Sequence, residues 1–151
     1  MTRVCIVGDE DVNLRYELLS RETSRAALST YDLEEPFANA IAVDTVSLGA
    51  AVSLLNDLNW YLVRFADRAF VRDPSIDPDE WLSRDLARNV RDSTVQPEET
   101  DEYAAIFGVV DGALVEPMYV SRVDGDFPEY DLRDVDETVV VRLTAAEFDA
   151  G

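Results

Sequence analysis

The sequence contains no histidine and no lysine; all 13 of its basic residues are arginine. Without His there is no Ser–His–Asp or Cys–His relay and no imidazole to ligate a metal. Without Lys there is no Schiff base and no lysine for a phosphate-binding loop. The one cysteine, Cys5, excludes an internal disulfide, a CxxC pair and a thiolate zinc site. No apolar run approaches the roughly 18 residues of a membrane-spanning helix, so no membrane partner is expected. The opening residues Met1 to Gly8 run straight into Asp9-Glu10-Asp11. That is not the form of a signal peptide, and a cytoplasmic location is expected. With most catalytic side-chain sets missing, the expectation is that the chain is not an enzyme.

Negative charge is abundant. Asp and Glu number 32 against 13 Arg, a net charge of −19 over 151 residues. The acids are spread along the chain and leave no basic stripe for a phosphate backbone, so nucleic acid is not expected as a partner. Hydrophobic residues make up 47%, enough for a packed core. An acidic excess with lysine absent fits a halophilic proteome. At 1 M salt the Debye length is about 3 Å, which screens a surface that would repel itself in dilute buffer.

Hydrophobic patterning predicts a mixed α/β (α+β) fold, a single layer-type domain over 1–151 with about five to six strands in one mixed sheet and about four helices. Residues 1–72 read as a β-α-β-α-β-β unit. Arg3–Val7 is a buried strand, and a helix follows to about Ser29 with Val12, Tyr16 and Leu19 on its apolar face and a break near Glu22. Ala40–Asp44 reads as a second strand and Ser47–Leu58 as a helix, which suggests a parallel crossover to a third strand at Trp60–Phe65. A turn at Ala66–Arg68 leads to a short strand at Ala69–Val71. Residues 73–110 read as a helical insertion, with Asp77-Pro78-Asp79-Glu80 as a capping-box start and Pro97 opening a second helix. Residues 111–151 read as strands, with a turn at Asp124-Gly125, a final strand at Val139–Leu143 and a capping box at Thr144–Glu147.

Two places are candidate sites. The segment Trp60–Val71 places Trp60, Tyr61, Phe65 and Phe70 around Arg64 and Arg68, the side-chain types that anchor protein interfaces. The acids Asp9, Asp11 and Asp44 stand at predicted strand ends, where they could hold a divalent ion such as Mg²⁺; otherwise no cofactor is expected.

Val4-Cys5-Ile6-Val7-Gly8-Asp9-Glu10-Asp11-Val12-Asn13-Leu14-Arg15 resembles the opening of response-regulator receiver domains. The resemblance implies Mg²⁺ at the end of the first strand beside a phospho-acceptor at Asp44. The chain departs from that family in having no lysine. Leu14–Arg21 and Ser47–Trp60, with the chain as a whole, resemble a family of small haloarchaeal proteins of unknown function. The leading functional expectation is a non-enzymatic protein-interaction or regulatory module, with a protein partner or self-association through the Trp60–Phe70 segment. The alternative is a small-ligand or divalent-cation-binding, receiver-like domain.

Overall fold

The computed structural model describes residues 1–122 and 135–150. The strands are β1 (Thr2–Gly8), β2 (Ala40–Thr45), β3 (Ala66–Arg72), β4 (Trp81–Ser83), β5 (Tyr103–Val110), β6 (Ala113–Leu114), β7 (Met118–Ser121) and β8 (Glu137–Leu143). The helices are α1 (Leu14–Leu19), α2 (Glu22–Leu28), α3 (Leu48–Asp57), α4 (Asn59–Phe65), α5 (Arg84–Arg91) and α6 (Ala145–Ala150), with a 3₁₀ turn at Pro97–Glu99. All eight strands join one sheet in the order β2-β1-β3-β4-β8-β5-β6, with β7 also paired to β5. The class is the expected one, with more strands and helices than expected.

Alternation along the strands makes two cores. Val4, Ile6, Ile41, Val43, Val71 and Leu82 point to one face, where α1, α3 and α5 cover them with Leu14, Leu18, Val52, Leu55 and Leu86. Cys5, Phe70, Trp81, Phe107, Val139 and Val141 point to the other. There the Phe70 and Phe107 ring centroids are 5.6 Å apart, although β4 and β8 lie between their strands. A flat sheet would separate those strands by about 14 Å. The sheet therefore curls, and the second core fills the inside of the curl.

Local chemistry explains the helix starts. The side chains of Asn13, Ser47 and Ser83 accept from the backbone N–H of Tyr16, Ala50 and Leu86, capping α1, α3 and α5. Thr144 and Glu147 form the expected reciprocal box at α6. The break between α1 and α2 falls at Ser20-Arg21. At the β1 exit, Asn39 adopts φ 55°, accepts from Leu14 N–H and donates to the Asp9 carbonyl. A Cβ on Gly8 would stand 2.6 Å from Asn39 Nδ2 and 2.8 Å from Leu14 Cβ, so this approach requires glycine.

Several expectations are corrected. Trp60–Phe65 is helix α4, not a third strand, so there is no aromatic hairpin; Ala66–Arg72 is one continuous strand. Burial follows Leu58, Tyr61, Leu62 and Phe65, a helical spacing that outweighs the β propensity of the side chains. On α1 the buried residues are Leu14 and Leu18, while Tyr16 is 65% exposed. Residues 73–110 are not a helical insertion: they contribute β4 and β5 to the sheet. Asp77 does accept from the N–H groups of Asp79 and Glu80, but the chain then enters β4, because Trp81 and Leu82 are needed on opposite sheet faces. Pro97 opens only a 3₁₀ turn. The Asp124-Gly125 turn lies outside the described residues. β2 and β3 do run parallel to each other, each antiparallel to β1 between them.

Candidate functional site

The acidic candidates do not converge. β1 and β2 are antiparallel, with Arg3 paired to Asp44 and Val7 to Ala40. Asp9 follows the far end of β1, about 20 Å along the strand from Asp44 at roughly 3.4 Å per residue. Asp44 instead forms an ion pair with Arg3 at 3.4 Å. Asp11 lines a cavity of about 600 Å³ with Glu10, Glu35 and Arg15, without Asp9 or Asp44. Among the described residues no group of three or more acids or thiols is arranged to hold a metal. The receiver-like arrangement is thus overturned by strand direction. Cys5 is buried in the inner core, and burial pushes its thiol up to about 12 against the opposing pull of Arg3 and Arg72. A thiol in that state is a packing group and not a nucleophile.

The aromatic segment divides between two faces. Tyr61 is buried under α4, and Phe70 is buried on the inner face of the curl. Arg68 lies 4.8 Å over the Phe107 ring, inside the mouth of the curl. Trp60 and Val63 point outward, 49% and 71% exposed. The Arg64 guanidinium stacks 3.8 Å from the centroid of the Trp60 ring and donates to the Trp60 carbonyl at 2.8 Å. Arg21, at the α1–α2 break, lies 5.6 Å over Trp60 and 5.0 Å over Phe65. The outcome is a ridge on α4 carrying an indole, an isopropyl group and two guanidiniums. The α3–α4 junction beneath it is fastened by Arg84, which donates to Asn59 Oδ1, the Leu55 carbonyl and Asn56 Oδ1. A cation at the end of α3 also suits that helix's dipole.

A second Arg–Trp stack was not legible as such in the sequence. Arg72 on β3 lies 4.6 Å over the Trp81 ring, on the inner face of the sheet. With Arg3, Phe37, Asp79, Glu137 and Val139, these two residues line a cavity of about 520 Å³. Strand register would have revealed it, because Arg72 and Arg3 are direct cross-strand partners.

The strongest ionic cluster lies behind this wall. Arg142, only 8% exposed, donates to Glu80 at 2.7 Å, to Thr100 at 2.9 Å and to Asp77 at 3.3 Å. Arg122 donates to the same Glu80 oxygen at 3.1 Å and to the Asp101 carbonyl at 2.6 Å. Burial alone would raise Asp77, but the N–H groups of Glu80 and Asp79 and the two guanidiniums outweigh it and hold the carboxyl below its usual value. Among the described residues no buried side-chain nitrogen or oxygen lacks a partner, and these bonds make the cluster a clamp joining the connector at 73–80 and the 3₁₀ turn to the end of β7 and to β8.

Fold and geometry together define a small α+β protein with a curled mixed sheet, an arginine–aromatic ridge on its helical side and an arginine–tryptophan cavity on its inner side. The chain belongs to the family of unknown function DUF5804, whose model matches residues 2–109. No curated protein and no solved structure matches it.

Proposed function

We propose that the chain is a non-enzymatic protein-interaction module of a high-salt cytoplasm, and that its docking surface is the α4 ridge. The observation that carries this reading is the half-exposed Trp60 held between Arg64 and Arg21 beside the exposed Val63. Trp and Arg are the side chains most enriched where binding energy concentrates, and stacking fixes both before a partner arrives. Apolar and stacking contacts also persist where salt screens simple ion pairs. Arg21 is already paired with Glu17 at 3.2 Å, whereas Arg64 has no carboxylate partner among the described residues and is the cation left to select a partner that offers a carboxylate beside an apolar anchor. The high-salt setting is supported by the 32 acids and the use of arginine alone as base.

A photo-crosslinking residue at Val63, in the otherwise intact chain at molar KCl, tests this reading. Expected are adducts to one partner whose crosslinked peptide is rich in Asp and Glu, lost in Arg21→Ser/Arg64→Ser. Adducts only between copies of the chain, adducts indifferent to the arginine changes, or none at all would refute it.

A further inference from the structure

We propose that α6 is a salt-fastened strap: it lies across one end of the inner core at molar salt and swings away in dilute buffer while the sheet beneath it stays folded. The proposal does not rest on the α4 reading. α6 has six residues, and isolated helices shorter than about 12–15 residues are marginal in water. None of its residues is buried, and Asp149 stands toward the negative end of the helix dipole with no basic residue in the last turn. Its place is therefore set by what it touches.

Two attachments hold it. The Ser83 hydroxyl, at the start of α5, donates to Glu147 Oε1 at 2.6 Å. The Phe148 ring stacks on Tyr103 of β5, with centroids 4.6 Å and planes 25° apart. Tyr103 is the cross-strand partner of Leu143, the last residue of β8, so the stack closes over the end of the sheet. Glu147 also lines a cavity of about 220 Å³ whose walls include Phe70, Phe107, Val141 and Leu143. Each of those four is at most 9% exposed, so lifting α6 opens an apolar interior.

Charge of one sign opposes the attachments. The charge of Glu102 and, more weakly, that of Asp149 push the Tyr103 phenol above its ordinary value, which places both carboxylates near that ring. Glu147 is bonded by Ser83 and by the Thr144 N–H, and neither it nor Asp149 has an arginine partner among the described residues. The arginines of the cavity are engaged elsewhere, Arg68 with Asp67 at 3.6 Å and Arg84 with the acceptors of the α3–α4 junction. Stacking survives salt. Repulsion between surface carboxylates is screened as the Debye length falls from about 10 Å at 0.1 M to about 3 Å at 1 M. Salt therefore favours the docked strap.

The test places 4-fluorophenylalanine at position 148 of the full chain and follows its fluorine resonance from about 0.1 M to molar KCl, alongside amide exchange of β5 and β8. Expected is a docked signal at molar KCl and a docked-to-free ratio that falls about twofold or more in dilute buffer, while the β5 and β8 amides stay protected. The same chain with Tyr103→Ala supplies the free signal. Asp149→Asn is expected to hold the docked signal at lower KCl, and Glu147→Ala to weaken docking at every KCl concentration. A fluorine signal indifferent to KCl, loss of the docked signal only together with β5 and β8 protection, a salt response unchanged by Asp149→Asn, or docking indifferent to Glu147→Ala would overturn the proposal. Crosslinking at Val63 does not involve α6, so failure here leaves the α4 reading untouched, and the reverse.

Discussion

The chain has two tryptophans, and each carries a stacked arginine that has no carboxylate partner among the described residues: Trp60 under Arg64 and Trp81 under Arg72. The pairings differ in how they are built. Arg64 is four residues from Trp60 on one helical turn, a local pairing that any exposed helix can make. Arg72 reaches Trp81 from the neighbouring strand and depends on the sheet. Trp60 is 49% exposed and Trp81 only 5%. The same two side chains thus form a convex ridge for a macromolecular surface in one place and a cavity wall in the other. Enclosure, not residue type, separates the two roles.

Stability should divide the pair most sharply. Trp81→Ala opens the inner core beside Phe70 and is expected to cost about 3–5 kcal/mol in chemical denaturation. Trp60→Ala leaves solvent where solvent already reached and should cost less than about 1 kcal/mol. Equal costs would erase the distinction drawn here.

Behind Trp81 the clamp is ionic, whereas beneath Trp60 Arg84 donates only to amide and carbonyl oxygens among the described residues, and this gives the next effect. Arg142→Met leaves Asp77 and Glu80 partly desolvated with one guanidinium fewer, a loss of about 2 kcal/mol. A pH signature accompanies it. The folded-state pKa of Asp77 is depressed, so its contribution is complete above the ordinary Asp value near about 4 and disappears as pH falls through the lower folded value. Asp77→Asn should therefore lower stability at neutral pH and flatten the acid limb of the stability profile. An unchanged acid limb would show that the carboxylate is not held by the cluster.

Salt gives a smaller effect that both stacks share. Raising KCl from low to molar concentration should increase the melting temperature of the wild type, because self-repulsion of the −19 surface is screened. A chain equally robust in near-deionised buffer would contradict the high-salt setting. The smallest expected effect is that of Arg64→Ser, which should leave stability within about 0.5 kcal/mol and act only on partner capture.

Those differences also mark what could be read in advance. The β1, β2 and β8 runs, the α3 cap at Ser47 and the box at Thr144 are local signals, and the structure contains them. Trp60, Arg64 and Phe65 were legible as a cluster but not as a helix, because aromatic and β-branched side chains argued for a strand. The spacing Leu58, Tyr61, Leu62, Phe65 carried the competing signal. Ser83 capping α5 was hidden by the stronger-looking Asp77-Pro78 start. The Arg72–Trp81 cavity and the separation of Asp9 from Asp44 both follow from strand direction and register, which long-range pairing decides and local sequence does not.

A crossed fluorescence titration tests the division between ridge and cavity most directly. Two single-indole variants, Trp60→Phe and Trp81→Phe, are each exposed to acrylamide and to the acidic partner recovered through position 63. Acrylamide should quench Trp60, 49% exposed, far more than Trp81, 5% exposed, and the partner should move only the Trp60 signal. Equal quenching of the two indoles, or a partner that moves the Trp81 signal or neither signal, would contradict the division between an open ridge and an enclosed stack.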